Sequence, residues 1–325
     1  MRVAIGALSL FSCAAPAGDA PFVETARIEL PKVEGRIDHL SFDPAGQRLF
    51  IAALGNGSVE VIDLAAGRAT QRIDHLEEPQ GIAWLAASGE LAFTTGGDGN
   101  LHVYDGKTLV EKKVIAVGDD ADNVRVDAAA GLLYVGAGEG LAIVDVKKWE
   151  KVASVALAGH AESFQLDAAA GRIYVNVPDA RHVAVVDLKE RKVVAKWELG
   201  DAAANFPMAL DAAAHRLYVG CRTPACLVVI DTTSGQRVGK LALGGDCDDV
   251  FLDGDQRRLC VTCGSGVVSS FAIDAEIAGK LTPLTDFPTA AGARTGLFVA
   301  VQKKLYVAVP HRGDQRAEVR TLDVR

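Results

Sequence analysis

The stretch Leu132-Leu-Tyr-Val-Gly136 is one of seven similar segments, and their recurrence decides the predicted fold. The other six are Arg48-Leu-Phe-Ile-Ala52, Glu90-Leu-Ala-Phe-Thr94, Arg172-Ile-Tyr-Val-Asn176, Arg216-Leu-Tyr-Val-Gly220, Arg258-Leu-Cys-Val-Thr262 and Lys304-Leu-Tyr-Val-Ala308. The second residues of successive segments are separated by 42, 42, 40, 44, 42 and 46 positions. A period in the low forties, built on β-branched and aromatic residues, is typical of a four-stranded propeller blade.

The flanking sequence repeats in phase with these segments. An apolar alternation precedes each one, as in Leu40-Ser-Phe42, and a turn such as Asp43-Pro-Ala-Gly46 or Asp127-Ala-Ala-Ala-Gly131 joins the two. A third strand follows and finishes on an aspartate in every unit: Asp63, Asp105, Asp145, Asp187, Asp231, Asp274 and Asp323. Aspartate accepts hydrogen bonds from the backbone of a following turn, so we interpret these residues as turn caps.

A fourth strand follows six of the seven units, but the chain ends at Arg325, directly after the third strand of the last unit. The segment from Phe22 to Leu30 has the alternation of a strand and precedes the first unit. We therefore predict an all-β, seven-bladed β-propeller over residues 22–325, with four antiparallel strands per blade and the N-terminal strand closing the last blade. The predicted blades cover roughly 35–76, 77–117, 118–157, 158–199, 200–243, 244–287, and 288–325 together with 22–30.

Composition limits the classes of function. The chain has 325 residues, of which 49% are hydrophobic, and 34 Lys and Arg against 42 Asp and Glu give a net charge of −8. Disorder is excluded by the apolar content, and a general nucleic-acid partner is not expected because no basic stripe dominates. After the apolar run at the N-terminus, no segment of the sequence is long and apolar enough to span a membrane. We also expect the protein to be a monomer.

The N-terminus has the pattern of an export signal. A charged start at Arg2 precedes the apolar run from Val3 to Phe11, and small residues at Ala15 and Ala17 suit cleavage, so residues 1–17 are predicted to be a signal peptide. The alternative is a lipoprotein signal that ends before Cys13, which would then carry a lipid anchor. The protein is accordingly predicted to be periplasmic or extracellular, or to be an envelope lipoprotein.

The Leu-Tyr-Val-Gly and Val-Val-Asp elements resemble the YVTN-type β-propeller repeats of the YncE-like family. Leu133-Tyr-Val-Gly136, Leu217-Tyr-Val-Gly220 and Asp43-Pro-Ala-Gly46 carry the resemblance, which extends over roughly residues 22 to 325. It implies a WD-repeat-like ring of an exported protein. Seven-bladed relatives with this architecture include quinoprotein dehydrogenase subunits, nitrous oxide reductase and lactonases, so the fold does not select an activity.

Aligning the seven units places candidate ligand-binding residues at one mouth of the central channel. The residues that enter each innermost strand at the same level are Asp38, Gln80, Asp122, Glu162, Phe206, Asp248 and Arg294. One position further on lie His39, Gly81, Asn123, Ser163, Pro207, Asp249 and Thr295. The predicted mouth is acidic, with Arg294 and Arg36 as its positive groups. Converging carboxylates suit Ca²⁺ or another divalent cation, or a positively charged ligand or partner.

The sequence is compatible with three functions. The first is a non-enzymatic propeller that binds a partner protein or a small or cationic ligand at the acidic mouth. The second is a metal-dependent, lactonase-like hydrolase with Asp122, Asn123, Glu162 and Asp248 as ligands and His39 or His160 as acid–base groups. The third is an accessory subunit of a periplasmic redox system. Enzymatic activity is left uncertain, and no catalytic residue is assigned.

The cysteines are interpreted as structural. Cys221 and Cys226 flank Arg222-Thr-Pro-Ala225, a predicted hairpin, and should face each other across it. The strand register also places Cys247 near Cys263, so both pairs are expected to form disulfide bonds in an oxidising compartment. Cys260 and Cys263 lie three positions apart on one strand and point to opposite faces, which leaves Cys260 unpaired.

Overall fold

The computed structural model describes residues 20–325 and shows seven antiparallel sheets, six of four strands and one whose fourth, outer strand is divided in two. Strands are numbered along the chain, starting with β1 (Phe22–Glu29). The first blade contains β2 (Leu40–Asp43), β3 (Arg48–Ala53), β4 (Ser58–Asp63) and β5 (Arg68–Ile73). The second contains β6 (Pro79–Leu85), β7 (Glu90–Thr95), β8 (Asn100–Asp105) and β9 (Glu111–Ala116). The third contains β10 (Val124–Asp127), β11 (Leu132–Gly136), β12 (Gly140–Asp145) and β13 (Glu150–Ala156).

The remaining blades continue the same order. The fourth contains β14 (Phe164–Asp167), β15 (Arg172–Val177), β16 (His182–Asp187) and β17 (Lys192–Glu198). The fifth contains β18 (Ala203–Asp211), β19 (Arg216–Thr223), β20 (Ala225–Asp231) and β21 (Arg237–Ala242). The sixth contains β22 (Cys247–Asp253), β23 (Arg258–Cys263) and β24 (Val267–Ile273), and its outer strand is divided into β25 (Leu281–Pro283) and β26 (Phe287–Pro288). The seventh contains β27 (Gly296–Val299), β28 (Lys304–Val309) and β29 (Glu318–Val324).

The N-terminal strand closes the ring, as the sequence predicts. β1 pairs antiparallel with β29, and Phe22 lies opposite Val324. The seventh sheet therefore has the order β1-β29-β28-β27, with chain-distant strands at its outer edge. Neighbouring innermost strands contact each other around the channel, including β2 with β27 where the ring closes. The predicted seven-bladed, all-β architecture is confirmed.

The seven recurring segments form the second strand of each blade and are the most buried part of the fold. In β3 and β23, for example, every residue after the first is buried. These strands have neighbours within their own sheet and lie between two other blades, which explains why they carry apolar residues on both faces. The core consists of clusters between blades, such as the one that joins Leu49 and Ile51 to Tyr306.

The turns have the predicted chemistry. Asp127 Oδ1 accepts the backbone N–H of Ala130, and Gly131 ends the turn at φ +67°, which glycine adopts without strain. The aspartates after the third strands also accept backbone N–H groups, as Asp105 does from Lys107 and Thr108. The side chain of Asp323 pairs with Lys304. Within residues 20–325, helix is limited to three 3-10 turns at Leu54–Asn56, Pro178–Ala180 and Ala300–Gln302.

The register sets the predicted cysteine pairs opposite each other. Cys221 is the cross-strand partner of Cys226 in the fifth blade, and Cys247 is the partner of Cys263 in the sixth. All four are free, buried thiols in the structure, so the two disulfide bonds stay a prediction. Cys260 is also buried, and burial raises the pKa of its thiol to about 12. Cys13 and the predicted signal peptide lie outside the described residues.

Candidate functional site

The seven level-aligned residues converge on one cavity at the mouth of the channel. All of them line a cavity of about 170 Å³, together with Arg36, His39, Asp120, Asn123, His160, Ser163 and Arg222. Each blade delivers its residue from the loop or strand start that enters the innermost strand, so the repeat itself brings seven chain-distant side chains together. Five carboxylates, three guanidinium groups and two imidazoles surround this small volume.

Two sectors of the mouth differ in how their charges are satisfied. On one side, Asp248 is held between two arginines: Arg294 Nε lies 2.8 Å from Asp248 Oδ2, and Arg222 pairs with Oδ1. Asp38 is similarly paired, with Arg36 Nη2 at 2.7 Å. The carboxylates of the sixth and first blades are therefore neutralised by protein cations.

Asp248, predicted as a metal ligand, consequently has protein partners already. Arg222, which sequence reasoning missed, supplies one of them from the β19–β20 hairpin rather than from an innermost strand. Its guanidinium also stacks over Phe206, with 3.7 Å between Arg222 Cζ and the ring centroid. The sequence signal for Arg222 was its place in the extended hairpin between Cys221 and Cys226, from which a side chain can reach into the mouth.

In the sector formed by the third and fourth blades, Asp122 and Glu162 form no ion pair with any lysine or arginine of residues 20–325, and His39 Nε2 lies 3.9 Å from Asp122 Oδ1. Ligand atoms of Asp122, His160 and Glu162 lie within 4.8 Å of one another. The residue Asp122 is only 7% exposed, yet its Oδ1 accepts no hydrogen bond from any of residues 20–325. The same holds for Oδ1 of Asn123, which is 2% exposed. Buried polar atoms nearly always have a partner, so two orphaned acceptor oxygens beside a cavity point to a missing donor or cation.

Burial and neighbouring negative charges raise the pKa values of the carboxyls in this sector. Burial raises the pKa of Asp122 well above its ordinary value, and the charges of Asp38 and Glu162 raise it further. Burial, with repulsion from Asp248 and Asp38, raises the pKa of Glu162 to about 8. These carboxyls are thus held together at an electrostatic cost that a bound cation would relieve.

His39 lies between the mouth and the deeper channel. Its Nε2 is 3.5 Å from Asp38 Oδ1 and 3.9 Å from Asp122 Oδ1, while its Nδ1 is 3.7 Å from Asp249 Oδ1. Burial lowers the pKa of His39, but these three aspartates outweigh it and the pKa is raised overall. Asp249, predicted at the mouth, lines the deeper cavity instead, whereas Gln80 stays at the mouth and donates to Asp120.

Comparisons with known proteins support the fold and show no family or function for this chain. No protein-family model and no curated protein matches the chain. Among solved structures, a chain of Kuenenia stuttgartiensis hydrazine synthase has a TM-score of 0.75 at 16% identity, covering 92% of this chain and 96% of that one. A chain of a mitotic checkpoint complex has a TM-score of 0.78 at 13% identity over 100% and 99% of the two chains. The WD40 repeats of RRP9 have a TM-score of 0.79 at 12% identity over 94% and 100%.

Together these results define the class: a seven-bladed, WD40-like β-propeller with a polar cavity at one mouth of its channel. These structural similarities support the propeller fold, but they do not show membership of the YncE-like family that the sequence resembles. Among residues 20–325, no helix has the length and apolarity needed to cross a bilayer.

Proposed function

We propose that this protein is a non-enzymatic propeller that binds a cation at the mouth of its channel, with Asp122, His160 and Glu162 as the central ligands. The observation that carries the proposal is the orphaned, buried Oδ1 of Asp122, whose carboxylate belongs to a group of ligand atoms within 4.8 Å of one another. Asn123, whose Oδ1 also has no hydrogen-bond partner among the described residues, lines the same cavity and would supply a further oxygen ligand.

The donor types favour a divalent metal ion over an organic cation. Two carboxylates and one imidazole match the ligands of Zn²⁺ and Mn²⁺, whereas the all-oxygen set expected for Ca²⁺ does not include a histidine. Asp248 is less suitable as a ligand than the sequence suggested, because Arg222 and Arg294 already occupy its oxygens.

Metal titration tests this proposal directly. Zn²⁺, Mn²⁺ and Ca²⁺ are each titrated into protein that has been stripped with a chelator, and heat is measured. We expect one ion per chain, with Zn²⁺ or Mn²⁺ bound more tightly than Ca²⁺. Asp122→Asn and Glu162→Gln should each weaken binding by at least about tenfold, which corresponds to about 1.4 kcal/mol.

The matched control is Glu150→Gln, which alters an exposed carboxylate on the outer strand β13. It should leave the metal affinity unchanged. Equal affinity in Asp122→Asn and in unaltered protein would exclude the mouth as the cation site, and the absence of any binding would reject the function itself.

Metal affinity should also depend on pH in a definite direction. Because the pKa of Glu162 is raised to about 8, a proton must leave this carboxyl before a cation binds near neutrality. We expect affinity to increase from pH 6 to pH 9, with proton release visible as a heat that depends on the ionisation enthalpy of the buffer. Affinity that is flat over this range would contradict the assignment of Glu162 as a ligand.

A metal-dependent hydrolase is the second candidate, and one observation favours it. His39 forms a second close group with Asp38 and Asp122, so an imidazole that could take part in proton transfer lies beside the carboxylates that would hold the ion. This alternative predicts lactone turnover that a chelator abolishes and that His39→Gln strongly reduces. The accessory-subunit alternative rests on the fold alone, which many functions share.

Export and partner binding complete the proposal. The YncE-like resemblance and the pattern of residues 1–17 support an exported protein, with the mature chain starting after Ala17 or at a lipidated Cys13. N-terminal mass spectrometry of the protein from fractionated cells distinguishes these outcomes. The similar chain from a mitotic checkpoint complex comes from a multi-protein assembly, which is consistent with a propeller that presents its mouth to a partner.

A further inference from the structure

A second cavity, here called the inner chamber, lies deeper in the same channel. It has a volume of about 230 Å³ and shares His39 and Ser163 with the mouth. Its other lining residues come from further along the innermost strands, including Arg125, Asp249 and Leu297. Unlike the mouth, the inner chamber has substantial apolar walls, so its chemistry differs from that of the cation site.

Arg125 is the unusual residue of the inner chamber. The arginines of the mouth, Arg36, Arg222 and Arg294, each pair with a carboxylate. Arg125 forms no ion pair with any carboxylate of residues 20–325. Its Nη1 donates to the carbonyl of Val124 at 2.8 Å and its Nη2 makes a weak hydrogen bond of 3.3 Å to Ser163 Oγ. Arg125 is half-buried, and its Cζ lies 5.6 Å from the centroid of the Phe164 ring. A guanidinium has five N–H donors, so this one keeps donors for an anion.

The other charged groups of the inner chamber largely offset each other. Asp249 Oδ2 accepts the backbone N–H of Gly296 at 2.9 Å, and its Oδ1 faces His39 Nδ1 at 3.7 Å. The carboxylate of Asp249 therefore already has the Gly296 N–H and His39 as partners. Among residues 20–325, the guanidinium of Arg125 is the charged group of the inner chamber that is left without an ion pair.

We propose that the inner chamber binds a small organic carboxylate, with the carboxylate on Arg125 and the apolar body against Ile82, Met208 and Leu297. Guanidinium and carboxylate groups match in a two-pronged arrangement, and the three apolar side chains line the same cavity. The size is adequate, since a cavity of about 150 Å³ holds benzene. This site is separate from the proposed cation site and does not require a metal ion.

Benzoate and benzamide form the test, because they have nearly the same shape and only benzoate is charged. Each is titrated into chelator-treated, full-length mature protein, and binding is measured by calorimetry and by ligand-observed NMR. We expect benzoate to bind and benzamide to bind at least about tenfold more weakly. Equal affinities, or the absence of benzoate binding at millimolar concentration, would overturn the proposal.

Two variants locate the site. Arg125→Gln should weaken benzoate binding at least about tenfold, and Leu297→Phe should do the same by filling the inner chamber. The matched control is Arg172→Gln, since Arg172 pairs with Asp187 across β15 and β16 and lines neither the mouth nor the inner chamber. Circular dichroism and thermal unfolding show whether each variant is folded. If Arg125→Gln does not fold, Leu297→Phe alone tests the location of the site. Unchanged benzoate affinity in whichever folded variant is measured would show that the anion binds elsewhere.

Discussion

At the scale of single residues, the carboxyl of Glu162 lowers the stability of the metal-free protein and supplies a ligand for the proposed cation. Its pKa rises from an ordinary 4.5 to about 8 in the folded protein. Between these two values the folded state holds more protons than the unfolded state, so stability falls as pH rises through this window. Metal-free protein should therefore be less stable at pH 8 than at pH 5 on account of this residue.

Replacing Glu162 with glutamine removes this effect. We expect Glu162→Gln to raise the free energy of unfolding at pH 8 by about 1–2 kcal/mol and to leave it nearly unchanged at pH 4, where the carboxyl is protonated in both states. Urea denaturation in the presence of a chelator at several pH values measures this. A parallel loss of stability with pH in Glu162→Gln and Glu150→Gln would show that Glu162 is not the group responsible.

At the scale of the element, one aspartate organises the first turn and links two blades. Asp43 Oδ1 accepts the N–H groups of Ala45 and Gly46, and its Oδ2 pairs with Arg48 at 2.7 Å. Arg48 in turn donates to the carbonyl of Gly106 in the second blade. The side chain of Asp43 therefore supports both the β2–β3 hairpin and the contact between blades.

Asp43→Ala should lower the free energy of unfolding by about 2–3 kcal/mol, because it removes two backbone hydrogen bonds and leaves Arg48 without its carboxylate. Asp43→Asn keeps the acceptor oxygen for the turn and should lose less. Chemical denaturation compares the two variants. Equal losses would show that the ion pair, and not the turn, accounts for the effect.

The paired cysteines make a second prediction at the element scale. Each predicted pair occupies directly opposed positions of a hairpin, and burial raises the pKa of Cys221 and Cys263 to about 12. Thiolate is the reactive species, so the bonds should form during folding rather than in the folded protein. Thiol titration of the denatured, exported and non-lipidated protein should find one free thiol, that of Cys260. Five free thiols would refute both disulfides.

At the scale of the whole molecule, the ring depends on a strand that comes from the other end of the chain. Phe22 on β1 is 1% exposed, and its ring packs edge-on against Phe287 of the sixth blade at a centroid distance of 5.7 Å. Arg258 also donates to the carbonyl of Pro21. The closing strand thus contacts the blade beyond the one it completes.

Phe22→Ala should destabilise the whole ring by about 3–5 kcal/mol, since a large buried side chain is lost at the closure. Arg27→Ala, an exposed position on the same strand, serves as the control and should have little effect. Thermal unfolding of both variants measures the difference. Similar midpoints for Phe22→Ala and Arg27→Ala would mean that closure by β1 contributes little to stability.

The fold and the level of the mouth residues could be predicted from the sequence because both depend on order along the chain. The period of Leu133, Leu217 and Leu305 set the number of blades, and counting back from each segment placed Asp122 and Glu162 at one height of the channel. The position of Cys221 opposite Cys226 followed from local strand register in the same way, whereas the disulfide bond between them stays a prediction. A repeat with period-2 alternation carries this information without any knowledge of distances in space.

Only the tertiary structure decided which charges are neutralised. Arg222 reaches Asp248 from a neighbouring blade, His160 stands beside Asp122 about 40 positions away, and Arg125 is left without an anion. These relations depend on how far each side chain extends across the channel, and a few ångströms decide between an ion pair and a free charge. The order of residues along the chain determined which side chains lie at the mouth. The packing of the blades around the ring determined which of these side chains form ion pairs.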